Sequence, residues 1–444
     1  MAALQLPLPL QWRNNKPSPP PPPPPLVAKC ALSKQSLRLL SSVDAAAGDN
    51  SAGLRLVRKF VASTSKAVAL EALSHLLSSD VHRHASLALP MYERITETRW
   101  FNWNSKLVSE VIASLDKQGW LDEAETLISE SVEKLGFRDG EVAIFYCDLI
   151  DSFSKQGSLK GVFDTYDRLK RIDSDSSNVK RRVFESMING LCRLDLPRDA
   201  EKMMAEMREA GFKPCAFEFR SVINGYGKLG FFDEMRRIVD EMEGFDCVVD
   251  TICSNIVLSC YGGHGELSAM ASWMQRMKNS GTAFTIRTYN SVLNSCATIM
   301  SMLEFPKLVP LTIEELLQEL PKEEALLVQE LIGSSVLIDT LQWGSSEAKL
   351  DLHGMHLGSA YLIMLQWVEE LKLRFGGGDT AVTVIPTEIK VVCGKGKHSN
   401  VRGESPIKSL VSEMMIRWNS PLRIDRKNVA TFIAKGSTVR NWLC

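Results

Sequence analysis

The sequence predicts a mostly α-helical chain: a superhelix of helix-turn-helix repeats (an α-solenoid) followed by a small α/β domain. Three observations predict it. Apolar residues recur at a strict 35-residue period from Ile188 to Leu293, strand and helix patterns alternate only in the last hundred residues, and a basic, acid-free stretch precedes both. At 444 residues the chain calls for more than one domain. Four segments are expected: 1–50 a transit peptide and disordered proline-rich segment, 51–302 the repeat array, 303–347 an acidic helical linker, and 348–444 the α/β domain. With 45% apolar and 24% charged residues, there is ample material for a core. The formal charge of −1 excludes a uniformly basic nucleic-acid coat protein but leaves local grooves open. No apolar run approaches the roughly 20 residues that cross a bilayer, so no membrane span is expected. The 10 cysteines include no Cys-x-x-Cys pair, which supports neither a zinc ribbon nor a dithiol redox site.

From Met1 to Val43 there is no acidic residue, while Arg13, Lys16, Lys29, Lys34 and Arg38 lie among Ser, Ala and Leu. The prolines from Pro19 to Pro25 fix an extended, solvated polyproline conformation. Basic, serine-containing and acid-free is the composition of an organelle transit peptide. Sparse arginine favours the chloroplast, with the mitochondrion as the alternative.

In the array, Ile188, Ile223, Leu258 and Leu293 share the 35-residue period with Met207, Met242 and Met277; Asn189-Gly190 is echoed by Asn224-Gly225, and Gly230 by Gly265. A fixed period of this size signals stacked repeats. Within one period, Val183, Met187, Ile188 and Leu191 form one helical face, and Ala200, Met203, Met204 and Met207 a second. Pro197 suits the first turn of the second helix, Gly211 an αL stop, and Pro214 forbids continuation. Two helices cannot bury both faces alone, so neighbouring units must stack.

These residues resemble the pentatricopeptide repeat family. Its best copies are Arg181–Cys215, Ala216–Asp250 and Thr251–Thr285, with a partial copy from Ile286 and looser ones at Ser105–Asp139 and Ala143–Ser177. The strict 35-residue spacing and the Gly-Phe-Lys-Pro turn at 211–214 argue against the competing tetratricopeptide reading. The resemblance implies single-stranded RNA as partner, each unit offering one base-facing residue on its first helix and another at its end. Carried over, the pairs are Glu185 with Cys215, Arg220 with Asp250, and Asn255 with Thr285, and Asn290 begins a further position. An Asn amide can donate and accept along a pyrimidine edge. Phe217 and Ile252 would flank a base by stacking. Residues 51–302 hold 31 Lys+Arg against 34 Asp+Glu, so the array exerts no overall pull on phosphates.

Leu303–Lys349 reads as one or two short amphipathic helices with a solvated acidic face, and no site is assigned to it. Beyond it, a strand is expected at Lys349–Gly354, a helix at Gly358–Phe375, a strand at Ile389–Cys393, a helix from Pro406 to Trp418 capped by Ser405, and a last strand at Asn428–Ala434. Side chains two apart on a strand share a face, which would pair Asp351 with His353 and send Leu350 and Leu352 inward. Glycines after the second strand free backbone N–H groups to surround an anion, with Lys395 and Lys397 adding charge.

Leu350-Asp-Leu-His353-Gly and Cys393-Gly-Lys-Gly-Lys-His398-Ser, in that order over residues 348–444, resemble the small MutS-related (Smr) domain. The chain departs from that family's pattern at Cys393, where Thr is usual. The resemblance implies nucleic-acid contact, DNA included, and endonuclease chemistry. His353 would be the general base or acid, Asp351 its orienter, His398 a contact to the scissile phosphate, and Gly394, Lys395, Gly396 and Lys397 the phosphate loop. A divalent metal such as magnesium or manganese is the only cofactor considered, with no ligand assigned to it. Three function classes result: an organellar RNA-binding protein in transcript processing or stability, with endonuclease activity in the C-terminal domain; an RNA or DNA nuclease whose repeats only deliver that domain; or a non-catalytic protein-interaction scaffold in plastid gene expression or nucleoids.

Overall fold

The computed structural model describes residues 32–46, 50–136, 138–172, 176–376, 385–394 and 405–443. The 35-residue period becomes helix pairs because its apolar members close on one another. Ile188, Ile223, Leu258, Leu293, Met207, Met242 and Met277 are all buried. Successive pairs run Ser105–Gln118 with Leu121–Leu135, Asp139–Gln156 with Leu159–Leu169, and Ser177–Arg193 with Pro197–Glu209. Ala216–Lys228 with Phe232–Gly244, Thr251–Gly263 with Leu267–Asn279, and Ile286–Leu293 with Ala297–Leu303 complete the series. From Asp139 onward, the first helix of each pair packs on the first helix of the next, so one face of the array is a continuous layer of first helices. Helices Asn50–Ser63, Lys66–Leu77 and Ala88–Thr96 precede these pairs.

Left-handed turns repeat with the same period. Gly211 and Gly281 follow second helices at φ +85° and +69°, and the equivalent residue between them is Asp246 at φ +58°. An L side chain is strained there. Asp246→Gly is expected to raise stability by about 0.5–1 kcal/mol, the αL relief less the entropy glycine adds to the unfolded chain. A chemical denaturation midpoint that falls in the variant would contradict this.

The folded body starts earlier than the composition suggests. Helix Lys34–Ala45 is capped by Ser33, whose hydroxyl accepts from the Ser36 N–H, and it buries Leu39 and Val43. The Ser33 N–H donates to Glu71 of helix Lys66–Leu77 at 2.6 Å. Residues 34–45 therefore do not belong to a disordered segment. The proline run itself lies outside the described residues.

The acidic segment also does more than link. It holds helices Ile313–Glu319, Lys322–Ile332 and Val336–Thr340, and then a strand, β1 (Leu341–Trp343), so the sheet begins inside the expected linker. Helix Lys322–Ile332 buries Leu327, Val328 and Leu331 and packs against Leu267–Asn279 of the array. Glu324, expected in a solvated run, is buried and accepts from the Thr298 N–H at 3.0 Å, where it caps the last second helix.

The remaining strands are β2 (Glu347–Asp351), β3 (Glu388–Val392), β4 (Arg423–Ile424) and β5 (Thr431–Lys435), in sheet order β1-β2-β3-β5-β4. Among the described residues only the β2–β3 pair is parallel, with helix Leu357–Gly376 between its strands in sequence. Ala348, Leu350, Ile389, Val391 and Phe432 are buried, and the alternating members Glu347, Lys349, Asp351, Glu388 and Lys390 are half-buried. Helix Leu357–Gly376 is buried along most of its length because it also meets the array end and the acidic segment's helices. Tyr289, from the last first helix, donates its hydroxyl to the Leu331 carbonyl at 2.7 Å; Tyr361 donates to the Pro310 carbonyl at 2.8 Å, and the Trp418 indole to the Leu311 carbonyl at 3.2 Å.

Candidate nucleic-acid interface and phosphodiester site

The layer of first helices sets out residues at equivalent places. Ile144, Phe217 and Ile252 all stand second in their units and are 36%, 45% and 50% exposed, so this apolar stripe is presented rather than packed. Sequence reasoning found Phe217 and Ile252 and missed Ile144, because the earlier units carry three extra residues and blur the period. A basic residue closes the last turn of four first helices, Lys117, Lys155, Arg193 and Lys228, two of which also carry Ile144 and Phe217. Each suits the negative end of a helix dipole. Lys117 pairs with Asp80 at 2.9 Å, Lys155 with Glu110 at 3.8 Å and Lys228 with Asp195 at 2.9 Å.

The proposed base-facing pairs differ sharply from one another. Glu185 accepts from Arg181 at 3.0 Å, and Cys215 is the N-cap of its helix. Arg220 and Asp250 face one another. They bond one another at 2.6 Å, and the other Asp250 oxygen accepts from the Cys253 N–H at 3.0 Å as a helix cap. With both carboxylate oxygens engaged, this pair is closed on itself. Asn255 faces the next unit, its Oδ1 accepting from the Thr288 hydroxyl at 2.8 Å, while Thr285 caps helix Ile286–Leu293.

Asn290 meets the C-terminal domain. Its Nδ2 donates to the Gly354 carbonyl at 2.8 Å, and its Oδ1 accepts from the His356 N–H at 2.8 Å. Its amide is therefore committed to a loop of the C-terminal domain rather than presented to solvent. Asn294, one turn on, bonds the His356 ring at 2.7 Å between Nδ2 and Nδ1. Nothing in the repeat pattern marks this docking, because the partner lies 64 residues away in another domain.

The two C-terminal motifs meet at the carboxyl ends of parallel strands, where ligand sites of α/β sheets form. Asp351 stands opposite Val392, and the Leu352 N–H donates to the Val392 carbonyl at 2.9 Å. His353 lies in the turn beyond β2 rather than on it. The pair forms because one Asp351 oxygen accepts twice, from the His353 N–H at 3.0 Å and from ring Nδ1 at 2.6 Å. That bond places the ring proton on Nδ1 and leaves Nε2 as the basic nitrogen. Gly394, at φ +77° after β3, lies so near the imidazole that a Cβ there would stand 3.5 Å from Nε2. Its left-handed conformation calls for glycine, while the ring stands at ordinary van der Waals distance. Lys349, on the same strand face two residues before Asp351, pairs with the second Asp351 oxygen at 3.2 Å. Sequence reasoning named the strand but not this lysine's part, although the two-residue period contained it. Lys395, Gly396, Lys397 and His398 lie outside the described residues.

Burial alone would raise the Asp351 carboxyl, but the His353 main-chain and ring bonds and Lys349 outweigh it and hold it below the ordinary aspartate value. A carboxyl depressed on folding contributes stability above its unfolded pKa and loses it as pH falls through the folded one. The ordered Asp351–His353 turn is therefore expected to persist on acidification below about pH 4. Amide exchange of the His353 N–H against pH checks this; loss of protection already at pH 5 would contradict it. Burial pushes the Cys393 thiol up to about 12, so at neutral pH it is a packed apolar residue and no nucleophile. Among the described residues no group of three or more His, Cys, Asp or Glu could hold a metal. Asp351 and His353 form a pair bonded to each other.

A sequence model of the pentatricopeptide repeat matches residues 182–212, 219–247 and 252–282. A pentatricopeptide repeat-containing protein of Arabidopsis thaliana is 52% identical over 419 residues, covering 93% of this chain and 82% of the relative. Two further relatives from that plant are a chloroplastic one, 25% identical over 44% of this chain and 37% of its own length, and a mitochondrial one, 26% identical over 35% and 16%. Against these two the chain spans well under half of the relative. Among solved structures, the pentatricopeptide repeat protein PPR10 with an 18-nt PSAJ RNA element is 17% identical, with 67% of this chain and 44% of that chain covered and a TM-score of 0.39.

Proposed function

The chain belongs to the pentatricopeptide repeat family, and from that premise we propose that it is an organellar RNA-binding protein acting in transcript processing or stability. The observation that carries the reading is the presented stripe Ile144, Phe217 and Ile252 on the layer of first helices, whose last turns supply Lys117, Lys155, Arg193 and Lys228. Phe217 and Ile252, one repeat apart, offer platforms for successive bases, with Ile144 two units earlier. The cations at the far ends of these helices are there for phosphates, and a bound strand would replace the carboxylate partners of Lys117, Lys155 and Lys228 with its own charge. Asn255 with Thr285 is the pair that reads a base. The acid-free amino terminus supports a plastid destination.

The C-terminal domain, read as Smr-like, contributes a phosphodiester site. Residues 348–444 hold 14 Lys+Arg against 8 Asp+Glu, whereas 303–347 hold 2 against 9, so the attraction for a polyanion is concentrated on the domain that carries the paired Asp351 and His353. His353 Nε2 takes the proton of an attacking water as its oxygen bonds to phosphorus. The P–O bond to the leaving sugar oxygen breaks, and that oxygen takes a proton from solvent. Asp351 holds the ring and stabilises the imidazolium, and the lysines after Gly394 neutralise the phosphate. DNA phosphates would meet the same groups, so single-stranded DNA is the competitor to include in every binding assay.

Removing Phe217 or Asn255 tests the array. Phe217→Ala and Asn255→Ala are each expected to weaken a selected single-stranded RNA by about 1–3 kcal/mol, the range of a stacked base or a good base contact. Filter binding against scrambled RNA measures it. Equal affinity of the double variant for every RNA would show that the array reads no sequence.

A further inference from the structure

We infer that the loop Gly354–His356 is an intramolecular base mimic that fills the last reading position of the array. This rests on the reading of the array as an RNA binder. A pyrimidine such as uracil presents a carbonyl acceptor beside an N–H donor, and an Asn amide answers with one donor and one acceptor. Asn290 makes this pair of bonds with protein: it donates to the Gly354 carbonyl and accepts from the His356 N–H, each at 2.8 Å. The two groups flank Met355, which is buried, so the clasp holds a seated stretch of main chain.

Three further contacts hold the loop in that place. Gly354 turns at φ +76°, which directs its carbonyl while His353 stays on Asp351. Gly358, at the start of the following helix, approaches Leu293 so closely that a Cβ would stand 3.1 Å from that side chain's own Cβ. Asn294 bonds the His356 ring. Both polar atoms of the Asn290 side chain are taken up by the loop. A nucleotide could reach its amide only after the domain had left the array.

Two consequences follow for specificity. The array's register ends at the Asn255 and Thr285 unit, and Asn290 selects no nucleotide although it stands where its repeat would read one. Asn290 is instead a positioning residue for the loop that begins at His353, and it holds the Asp351–His353 pair one repeat beyond the last position read.

Asn290→Ala removes both bonds; Asn290→Asp keeps the acceptor for His356 but cannot donate to Gly354, which gives a second, milder variant. In the full-length protein, two readouts are compared with wild type and Asn255→Ser. One is base preference at each position of a randomised single-stranded RNA, and the other is amide exchange of His356. We expect both Asn290 variants to keep the wild-type preference at every position while His356 exchange accelerates at least tenfold, more in Ala than in Asp. A changed preference at the nucleotide next to the one governed by Asn255 would overturn the inference, as would unchanged His356 exchange in Asn290→Ala. If Asn255→Ser changes no preference either, the RNA reading of the array fails, and the exchange measurement still decides the clasp.

Discussion

His353→Ala is expected to lower phosphodiester cleavage by the full-length protein by about 10²–10⁴-fold, the usual contribution of a positioned acid or base. RNA affinity should change by less than about twofold, because the phosphate and base contacts lie on other residues. Asp351→Asn should approach the same loss by another route. An amide keeps the turn's shape, but it cannot stabilise the imidazolium as a carboxylate does, and its NH₂ can bind the ring in the wrong tautomer. Lys349→Ala, which removes the partner of the other Asp351 oxygen at 3.2 Å, should cost less than either. Cleavage by the Asp351/His353 double variant at the wild-type rate would move the chemistry elsewhere. Absence of cleavage by wild type with magnesium or manganese supplied would leave this domain a binding role.

Tyr289→Ala should be the most damaging single change at the joint between array and domain. The ring is fully buried, and its hydroxyl meets the Leu331 carbonyl at 2.7 Å, Ser334 at 3.2 Å and Gln366 at 3.3 Å. Removing a buried aromatic costs about 3–5 kcal/mol. Tyr289→Phe, which keeps the packing but leaves the buried carbonyl short of a donor, should cost about 1–3 kcal/mol. Equilibrium denaturation followed by separate array and domain probes measures both. Two separated transitions in the alanine variant, against one in wild type, are expected because this side chain ties the last repeat to the helix that underlies the sheet. An unchanged single transition would contradict a joint of this strength.

Much of this architecture can be read from the residues because it is periodic. The 35-residue spacing of Ile188, Ile223, Leu258 and Leu293 marks a buried row, and all four are buried. Ser405 before Pro406 announces a helix start, and its hydroxyl accepts from the Lys408 N–H at 3.3 Å. Non-periodic features are harder. Strand β1 is only three residues long, too short for alternation to show, and follows a run of acids and leucines that reads as helix. Glu324 looks like one more exposed glutamate until the fold brings it to the Thr298 N–H. Asn290 carries the family's residue at the family's place; what it binds is decided by a domain that begins about sixty residues later. The Asp351–His353 pair was legible in residue choice but not in cause, since it forms by a turn in which one carboxylate oxygen accepts twice.

Crosslinking the protein to RNA in isolated plastids, followed by sequencing of what remains bound, tests the central claim most directly. Enrichment of a short single-stranded sequence in a few transcripts is predicted, with that enrichment lost in the Phe217→Ala/Asn255→Ala variant. Recovery of RNA no greater than from an untagged control would contradict it.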